Sequence, residues 1–474
     1  MNLELAAVLS PLAAGLICTM IPRIAAGLPA LACALTATAA VPLLTSPPAT
    51  RTLLDTGGIA LIADPAAGWL MLTNAAVTLA VLLDGRSRKS DTFFFSLLCM
   101  LHGGLNACFL GADLFHLYVV VELTTILAFL LIAGPLGDRH IWNALRYLFI
   151  SNVGMLFYLM GAILVYESRG SFALAETAEA PGVAGMLLIV GLAVKGGVFI
   201  PGLWLPLAHG GAEARVSALL SGVVVKIGVL PLIRIAALSP LLETTVRGLG
   251  VCGALMGIGF ALFERDIKRI MACSTLSQIG FMLAAPLAGP FYAFAHGLAK
   301  ASLFLTAGTL RERNILRLRE SGLPPRTAVA LLIPSLSAAG LPLLAGHTAK
   351  AATFAELADP FRWPLLIGAA GTAAIVSRWI FLPWRRSAEC APPPRESLLL
   401  LCGILLAVGL VRGPYDPGEI VSALTVLAAG ALLHVLGLGR LMRVPLPDRW
   451  ERFEDIVGLT CVTLFALFLL GGSR

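Results

Sequence analysis

Long apolar runs separated by short polar segments follow one another along the whole chain. Residues 2–21, 26–45, 57–83, 114–134 and 456–472 are examples. About 20 apolar residues suffice for a helix to cross the ~30 Å hydrocarbon core of a membrane, so the pattern predicts an all-α polytopic membrane protein with about 14–16 transmembrane helices. The first run lacks the basic start and small-residue cleavage site of a secretory signal, and we expect it to be a retained helix.

Two of the apolar runs are interrupted by glycine and proline. They read LLIVGLAVKGGVFIPGLWLPLAHGG and LSAAGLPLLAGHTAKAATF. Because proline removes a backbone donor and clashes with the preceding turn, both predicted helices should break near their middle. Such breaks are tolerated at membrane depth where they line a cavity or are sheltered by protein. Two broken spans, each with a lysine at its break, are typical of an inverted-repeat transporter.

Composition and charge agree with a membrane protein. Of 474 residues, 58% are hydrophobic and 13% charged, the mean hydropathy is +0.90, and a soluble domain would carry about 25% charged residues. Loops after odd-numbered spans hold 22 Lys and Arg, whereas the even-numbered loops and the C-terminus hold seven. The net charge of +7 therefore reflects topology rather than a nucleic-acid partner. The threefold excess of Lys and Arg in the odd-numbered loops predicts that these loops are cytoplasmic and that the N-terminus lies outside. We expect a multi-pass protein of a prokaryotic-type inner or cell membrane.

Neither a cofactor nor a metal ion is expected in this chain. Its nine cysteines are scattered, with no C-x-x-C pair and no Cys/His cluster, so we interpret them as small apolar side chains. We find no dinucleotide-binding fingerprint, Walker A motif or nucleophile elbow. Any redox or nucleotide chemistry must therefore lie on partner subunits.

The lysines carry the candidate chemistry. Only six of the 34 basic residues are lysines, and four of them, at positions 195, 226, 300 and 350, lie inside apolar runs. Arginine cannot release its proton in a protein, whereas the pKa of lysine can fall from about 10.4 to about 5 or 6 on desolvation. Four lysines at helix centres cost roughly 10–14 kcal/mol before compensation. Static ion pairs or snorkelling are the alternatives, but Glu122 is the single acid in the middle of these spans, so we interpret the lysines as proton carriers.

Histidines add one candidate. His296 precedes Lys300 by four residues, so both share one helical face. The isolated His102, His116 and His434 are better explained as hydrogen-bonded core residues than as relays.

Several motifs in the same order carry a family resemblance. The segments WLPLAHGGAEARVSALLSGVVVKIGVLPLIR, DIKRIMACSTLSQIGFM, HGLAKASLFLTAG and GLPLLAGHTAK resemble the antiporter-like membrane subunits of respiratory complex I, membrane-bound hydrogenases and Mrp-type sodium/proton antiporters. The chain most resembles the D-type branch of the Mrp antiporter subunits, through its length and the segment PLPDRWERFEDIVG. The family implies two inverted five-helix units with broken helices and a hydrated polar axis. We expect N-terminal helices at 1–90, a conducting core at 91–385 and C-terminal helices at 386–474.

The resemblance also implies roles for individual residues. They are Glu122, the acid on the fifth helix; Lys195, at the first break; Lys226, the connecting lysine; His296 and Lys300, the H-x-x-x-K pair; and Lys350, the exit lysine. Where the family has an aspartate and a histidine, this chain has Leu207 and Gln278. The missing aspartate leaves the proton uptake route open, and Glu213 is a candidate substitute.

The function predicted from these observations is proton translocation in a multisubunit Na⁺/proton antiporter, with other membrane subunits as partners. In this hypothesis a proton loads a Lys195–Glu122 pair, and closing or separating the pair passes it along the later lysines. The alternative is a pump module of a complex I-like quinone reductase or hydrogenase, in which case the chain is part of an enzyme. A solute carrier is disfavoured by the motif order.

Overall fold

The computed structural model describes residues 2–53, 59–84, 92–134, 137–385, 391–413, 415–438 and 453–471, and these are mostly helical. The first half contains α1 (Asn2–Met20), α2 (Leu28–Leu43), a hairpin of β1 (Ala49–Leu53) and β2 (Ile59–Ala63), α3 (Pro65–Leu83), α4 (Thr92–Leu110), α5 (Leu114–Ala133), α6 (Asp138–Arg169), α7 (Gly182–Gly196), α8 (Trp204–Gly211), α9 (Ala214–Leu219) and α10 (Lys226–Ala236). The second half contains α11 (Pro240–Phe263), α12 (Ile267–Ala284), α13 (Gly289–Ala307), α14 (Ile315–Ser321), α15 (Pro325–Ala339), α16 (Ala345–Glu356), α17 (Arg362–Ile380), α18 (Arg395–Arg412), α19 (Pro417–Leu433) and α20 (Phe453–Gly471).

The helices cross a slab and their links form two opposite faces. On one face the antiparallel hairpin, which pairs Ala49 with Ala63, makes a bridge from Leu61 to Gly111 in the α4–α5 link. On the other face Asp266 bridges to Asn314, so the links after α11 and α13 meet there. The links after even-numbered spans thus lie on one face and the links after odd-numbered spans on the other, as expected for helices that cross the membrane in alternating directions.

Within the described residues, ten helices are long and apolar enough to span a membrane. The window Ala214–Ala236 is completely buried inside the protein, and almost every residue of α13 is buried beside it. By contrast, α19 buries only 11% of its apolar window. The polar residues of α10 and α13 therefore lie at the centre of the molecule.

Both predicted helix breaks are present, and each depends on glycine. Helix α7 ends at Gly197 in the left-handed region (φ 66°), and α15 ends at Gly340 (φ 96°). A Cβ on Gly202 would overlap the carbonyl carbon of Gly197, and one on Gly346 would overlap the carbonyl oxygen of Ser337. Only glycine permits this close backbone approach, so the two halves use the same device to interrupt a helix.

The all-α polytopic fold with broken helices is confirmed. The three-part division at residues 90 and 385 stays a prediction. Residues 445–452 of the PLPDRWERFEDIVG segment, Cys390, and the basic residues at 86, 88 and 89 lie outside the described part of the chain.

Candidate functional site: a chain of buried lysines

The first lysine lies at the end of α7, where the helix breaks. Lys195 is 2% exposed, and its ammonium donates a hydrogen bond to the hydroxyl of Thr125 on α5. The ammonium also lies 5.4 Å from the ring centroid of Tyr147 on α6. Trp204 donates from Nε1 to the carbonyl of Val194 at 2.7 Å, in addition to the hydrogen bond that this carbonyl accepts from the Gly197 amide at 3.3 Å.

The predicted Lys195–Glu122 ion pair is not formed in this structure. Among the described ion pairs none joins these residues, because the Lys195 side chain extends to Thr125, almost one turn further along α5. Glu122 is half-buried, and its Oε2 accepts from the Asn152 amide at 3.2 Å when that amide is oriented to satisfy both of its atoms. Glu122 Oε1 is buried without a hydrogen-bond partner. Lys195 therefore hydrogen-bonds to Thr125 instead of pairing with the nearby Glu122.

The central lysine is completely buried. Lys226 follows a π-helical turn, Leu220–Val224, and its ammonium donates to the Ser221 carbonyl at 2.5 Å. The same Nζ lies 3.0 Å from Nδ1 of His296 on α13. The structure thus brings two predicted site residues, 70 positions apart, into direct contact.

Lys300 lies one turn beyond His296 on α13 and is 1% exposed. Its Nζ donates to the Met271 carbonyl of α12 at 2.9 Å. The Ser221 and Thr275 hydroxyls hydrogen-bond at 2.8 Å, which links α12 to the turn that holds the central lysine. Side chains from α10, α12 and α13 therefore form one polar cluster in an apolar core.

Gln278, which replaces the family's histidine, lies in a hydrogen-bonded trio that sequence reasoning missed. The Tyr292 hydroxyl donates to Gln278 Oε1 at 2.5 Å, and Gln278 Nε2 donates to the Thr372 hydroxyl at 3.0 Å. All three residues are buried. The trio connects α12, α13 and α17.

The last lysine sits after the second break rather than before it. Lys350 lies in α16 and reaches back to donate from Nζ to the Ala339 carbonyl at 2.8 Å. Its ammonium is 5.7 Å from the Phe281 ring centroid. It borders a cavity of about 360 Å³ that is also lined by Glu419 of α19 and by Asp416, the residue that caps this helix. This lysine therefore adjoins a cavity with acidic groups in its wall.

Two further buried polar residues were not predicted. His209 in α8 is completely buried and stacked on Phe304 (centroids 4.5 Å apart), and neither ring nitrogen has a hydrogen-bond partner. Lys268, expected in a loop, is 3% exposed and donates to the Ala212 carbonyl at 2.5 Å. The family motif that contains His209 could have drawn attention to it, whereas Lys268 carries no apolar-run signal, since arginines flank it.

A polar cavity of about 400 Å³ adjoins Lys268. Its wall includes Asp84, Glu213, Arg215, Lys268 and Arg313. Glu213 is 44% exposed in its side chain and pairs with Arg215 at 3.1 Å. The cavity lies on the face formed by links after odd-numbered spans, which the charge distribution predicts to be cytoplasmic.

The isolated histidines differ from one another. His102 is fully hydrogen-bonded, to Thr36 at 2.8 Å and to Thr78 at 3.1 Å, so its interpretation as a core residue is confirmed. Nε2 of His116 and Nδ1 of His434 have no hydrogen-bond partner. Within the described residues no group of three or more His, Cys, Asp or Glu side chains could hold a metal ion.

All four buried lysines donate hydrogen bonds to uncharged groups. In the described part of the chain none pairs with a carboxylate; they donate to a hydroxyl or to carbonyl groups. A buried ammonium without a counter-ion costs several kcal/mol. Loss of the proton relieves that cost, and among long basic side chains only lysine can lose it.

Comparison with known proteins gives one consistent result. Residues 111–377 match the family described as "NADH:quinone oxidoreductase/Mrp antiporter, TM". The N chain of the NADH-quinone oxidoreductase of Desulforudis audaxviator is 30% identical over 361 residues, which cover 69% of this chain and 68% of that protein. The D chain of the Na(+)/H(+) antiporter of Alkalihalophilus pseudofirmus is 28% identical over 324 residues, covering 62% and 66%. The alignments thus span about two thirds of each relative.

Solved structures share the fold over nearly the whole chain. A chain of the Mrp complex from Dietzia sp. has a TM-score of 0.76 at 20% identity, covering 93% of this chain and 99% of that one. A chain of respiratory complex I from Thermus thermophilus has a TM-score of 0.75 at 23% identity, covering 90% and 99%. At these identities the likeness establishes the fold alone.

Proposed function

The chain belongs to the family of transmembrane subunits that NADH:quinone oxidoreductases share with Mrp antiporters, and from that premise we propose that it conducts protons for a multisubunit Na⁺/proton antiporter. It is a proton-translocating, antiporter-type membrane subunit of an Mrp- or complex I-like assembly. The sodium/proton assignment rests on the likeness to the D-type chains of Na(+)/H(+) antiporters in two species. The partners are then the other membrane subunits of that antiporter.

One observation carries the proposal: the 3.0 Å contact between Lys226 Nζ and His296 Nδ1 in a buried core. At this distance one proton can be shared by two titratable nitrogens. The contact joins α10, in the first half, to α13, in the second. A static structural role would need one hydrogen bond to a carbonyl, whereas two adjacent bases with no acid are suited to receiving and releasing a proton.

The proposed path follows the lysines in chain order. Its first members in the chain are Glu122 and Lys195. It crosses to Lys226 where α7 and α10 are so close that a Cβ on Gly228 would overlap the backbone of Gly196, and it continues through His296 to Lys300. It ends at Lys350 beside the 360 Å³ cavity. Water bridging the gaps between neighbouring polar groups would complete the path.

Uptake is proposed at the 400 Å³ cavity that contains Glu213. Two features support this. The cavity combines the carboxylates of Asp84 and Glu213 with the buried ammonium of Lys268. That ammonium donates to the carbonyl of Ala212, three residues after His209, whose buried ring has no hydrogen-bond partner and stacks on Phe304 of α13. Glu213 would thus take up protons in place of the family's aspartate, whose position is occupied here by Leu207.

The test is Na⁺-dependent proton exchange by the complete assembly, purified from native membranes, reconstituted into vesicles and followed with a pH-sensitive dye. Lys226→Arg keeps the positive charge but cannot deprotonate, so we expect exchange to be abolished. The control, Arg317→Lys, is the reverse substitution at an exposed position of α14 and should leave the rate of proton exchange unchanged. Full activity of the Lys226→Arg assembly would contradict the proposal.

A second candidate is a proton-pumping module of a quinone reductase, which the 30% identity to an NADH-quinone oxidoreductase chain favours. The proteins that co-purify with a tagged chain decide between the two. Small membrane subunits alone would support the antiporter. Subunits with flavin or iron–sulfur centres would transfer the same proton path to a redox-driven assembly.

A further inference from the structure

An apolar groove with two arginines at one end runs between α15 and α18. It encloses about 930 Å³. Its walls include Val329 and Leu399, which are 56% and 65% exposed. Arg326 and Arg395 are exposed residues of the same lining.

The groove has the depth of one membrane leaflet. Arg326 is the second residue of α15 and Arg395 the first of α18, so both arginines lie where the helices begin. From Arg395 the lining continues along α18 to Leu406. About eleven residues at roughly 1.5 Å each give about 16 Å, roughly half of the ~30 Å hydrocarbon core. The arginines are thus at the level of the headgroups while the groove ends near the middle of the membrane.

No carboxylate among the described residues pairs with the two arginines at this end of the groove. Among the described residues neither Arg326 nor Arg395 has an ion-pair partner, in contrast to Arg317 of α14, which pairs with Glu312. The groove lining contains no carboxylate among the described residues, and Glu396, next to Arg395 in the chain, is not part of it. Guanidinium groups bind phosphate through paired N–H donors.

We propose that this groove binds an anionic phospholipid. The two arginines hold the phosphate, and one acyl chain lies along the apolar walls between α15 and α18. Basic pockets between transmembrane helices on the cytoplasmic side are suited to acidic lipid headgroups, and the charge distribution predicts that side for both arginines. Because α15 leads into the second helix break, the lipid would stabilise the half of the protein that contains Lys350. This inference does not depend on whether the assembly is an antiporter.

The test is native mass spectrometry of the complete assembly in detergent, titrated with dioleoyl-phosphatidylglycerol or with dioleoyl-phosphatidylcholine. We expect phosphatidylglycerol to be retained and phosphatidylcholine to be lost. Replacing both Arg326 and Arg395 by Gln should lower the phosphatidylglycerol affinity by roughly thirty-fold, the effect of two basic residues at a membrane surface. Arg317→Gln with Arg319→Gln removes the same charge from exposed positions outside the groove and should not change it.

A second variant tests the acyl-chain position independently. Leu406→Trp fills the deep end of the groove, so it should weaken retention of the dioleoyl lipid but not of a phosphatidylglycerol with short acyl chains. Equal retention of both headgroups, or unchanged affinity in the double Gln variant, would overturn the proposal. It would also be overturned if cross-linking from Leu399→Cys captured a helix of another subunit in the groove.

Discussion

Lys226 and His296 meet at the centre of the molecule, with Nζ and Nδ1 3.0 Å apart and both side chains almost completely buried. The spacing of His296 and Lys300 on one helix predicts that these two act together. The histidine in fact contacts the lysine of the other half, while Lys300 turns to the Met271 carbonyl of α12. His296 therefore stands between the two halves of the proposed path.

The first prediction concerns this histidine. His296→Gln keeps hydrogen-bonding capacity but removes the titratable ring, so we expect proton exchange by the reconstituted assembly to fall by about 100-fold, a usual size for loss of a proton-transferring group. The control is His102→Gln, which alters a buried histidine hydrogen-bonded to Thr36 and Thr78 outside the path. That variant should lower the melting temperature and leave the rate per assembled complex unchanged. Equal loss of rate in both variants would make His296 a structural residue.

The second prediction separates the charge of Lys195 from its proton. Lys195→Arg keeps a cation at the first break, yet exchange should be abolished because arginine does not deprotonate. Thr125→Val removes the hydroxyl that accepts from Lys195 and should cost about 1–3 kcal/mol of stability. In that variant we expect the ammonium to turn to Glu122, and difference infrared spectroscopy of the carboxylate band would detect the new ion pair. An unchanged band would show that the acid and the lysine do not pair.

Much of the fold could be predicted from the sequence because its signals are local. The length of apolar runs identifies spans, and clustered Gly and Pro identify breaks, such as those at Gly197 and Gly340. The distribution of Lys and Arg predicts alternating faces. Each of these signals needs only a window of about 20 residues.

The contacts within the site could not be predicted, because they join distant parts of the chain. Lys268 is flanked by arginines at a helix start, which is typical of an exposed loop, yet the helices around it bury its ammonium. The partner of Lys195 depends on how α5 rotates against α7, and a shift of less than one turn along α5 exchanges Glu122 for Thr125. Such choices are made by tertiary packing, which periodicity does not record.

The third prediction concerns the first helix break. Gly202→Ala forces a Cβ against the Gly197 carbonyl carbon, so it should destabilise the protein by about 1–3 kcal/mol and lower its melting temperature. Gly259→Ala in α11 places its Cβ in open space and should be neutral or slightly stabilising, since alanine favours helix. Thermal unfolding of the two purified variants in one detergent measures the difference. A melting temperature of Gly202→Ala at or above that of Gly259→Ala would show that the break does not depend on close backbone contact.

The last prediction tests uptake through the cavity that holds Lys268. Glu213 and Glu243 form a matched pair: their side chains are 44% and 45% exposed, and each contacts an arginine, at 3.1 Å and 2.8 Å. They lie on opposite faces of the slab, at the two ends of the span that contains Lys226. Glu213→Gln should slow exchange severalfold when protons are supplied from the face with the cavity, since a carboxylate at the mouth raises the local proton concentration. Glu243→Gln should not change that rate. Because each substitution removes one exposed charge, only a difference in exchange rate between the two variants identifies Glu213 as part of the uptake route. Equal rates would contradict uptake at this cavity and favour uptake near Glu122.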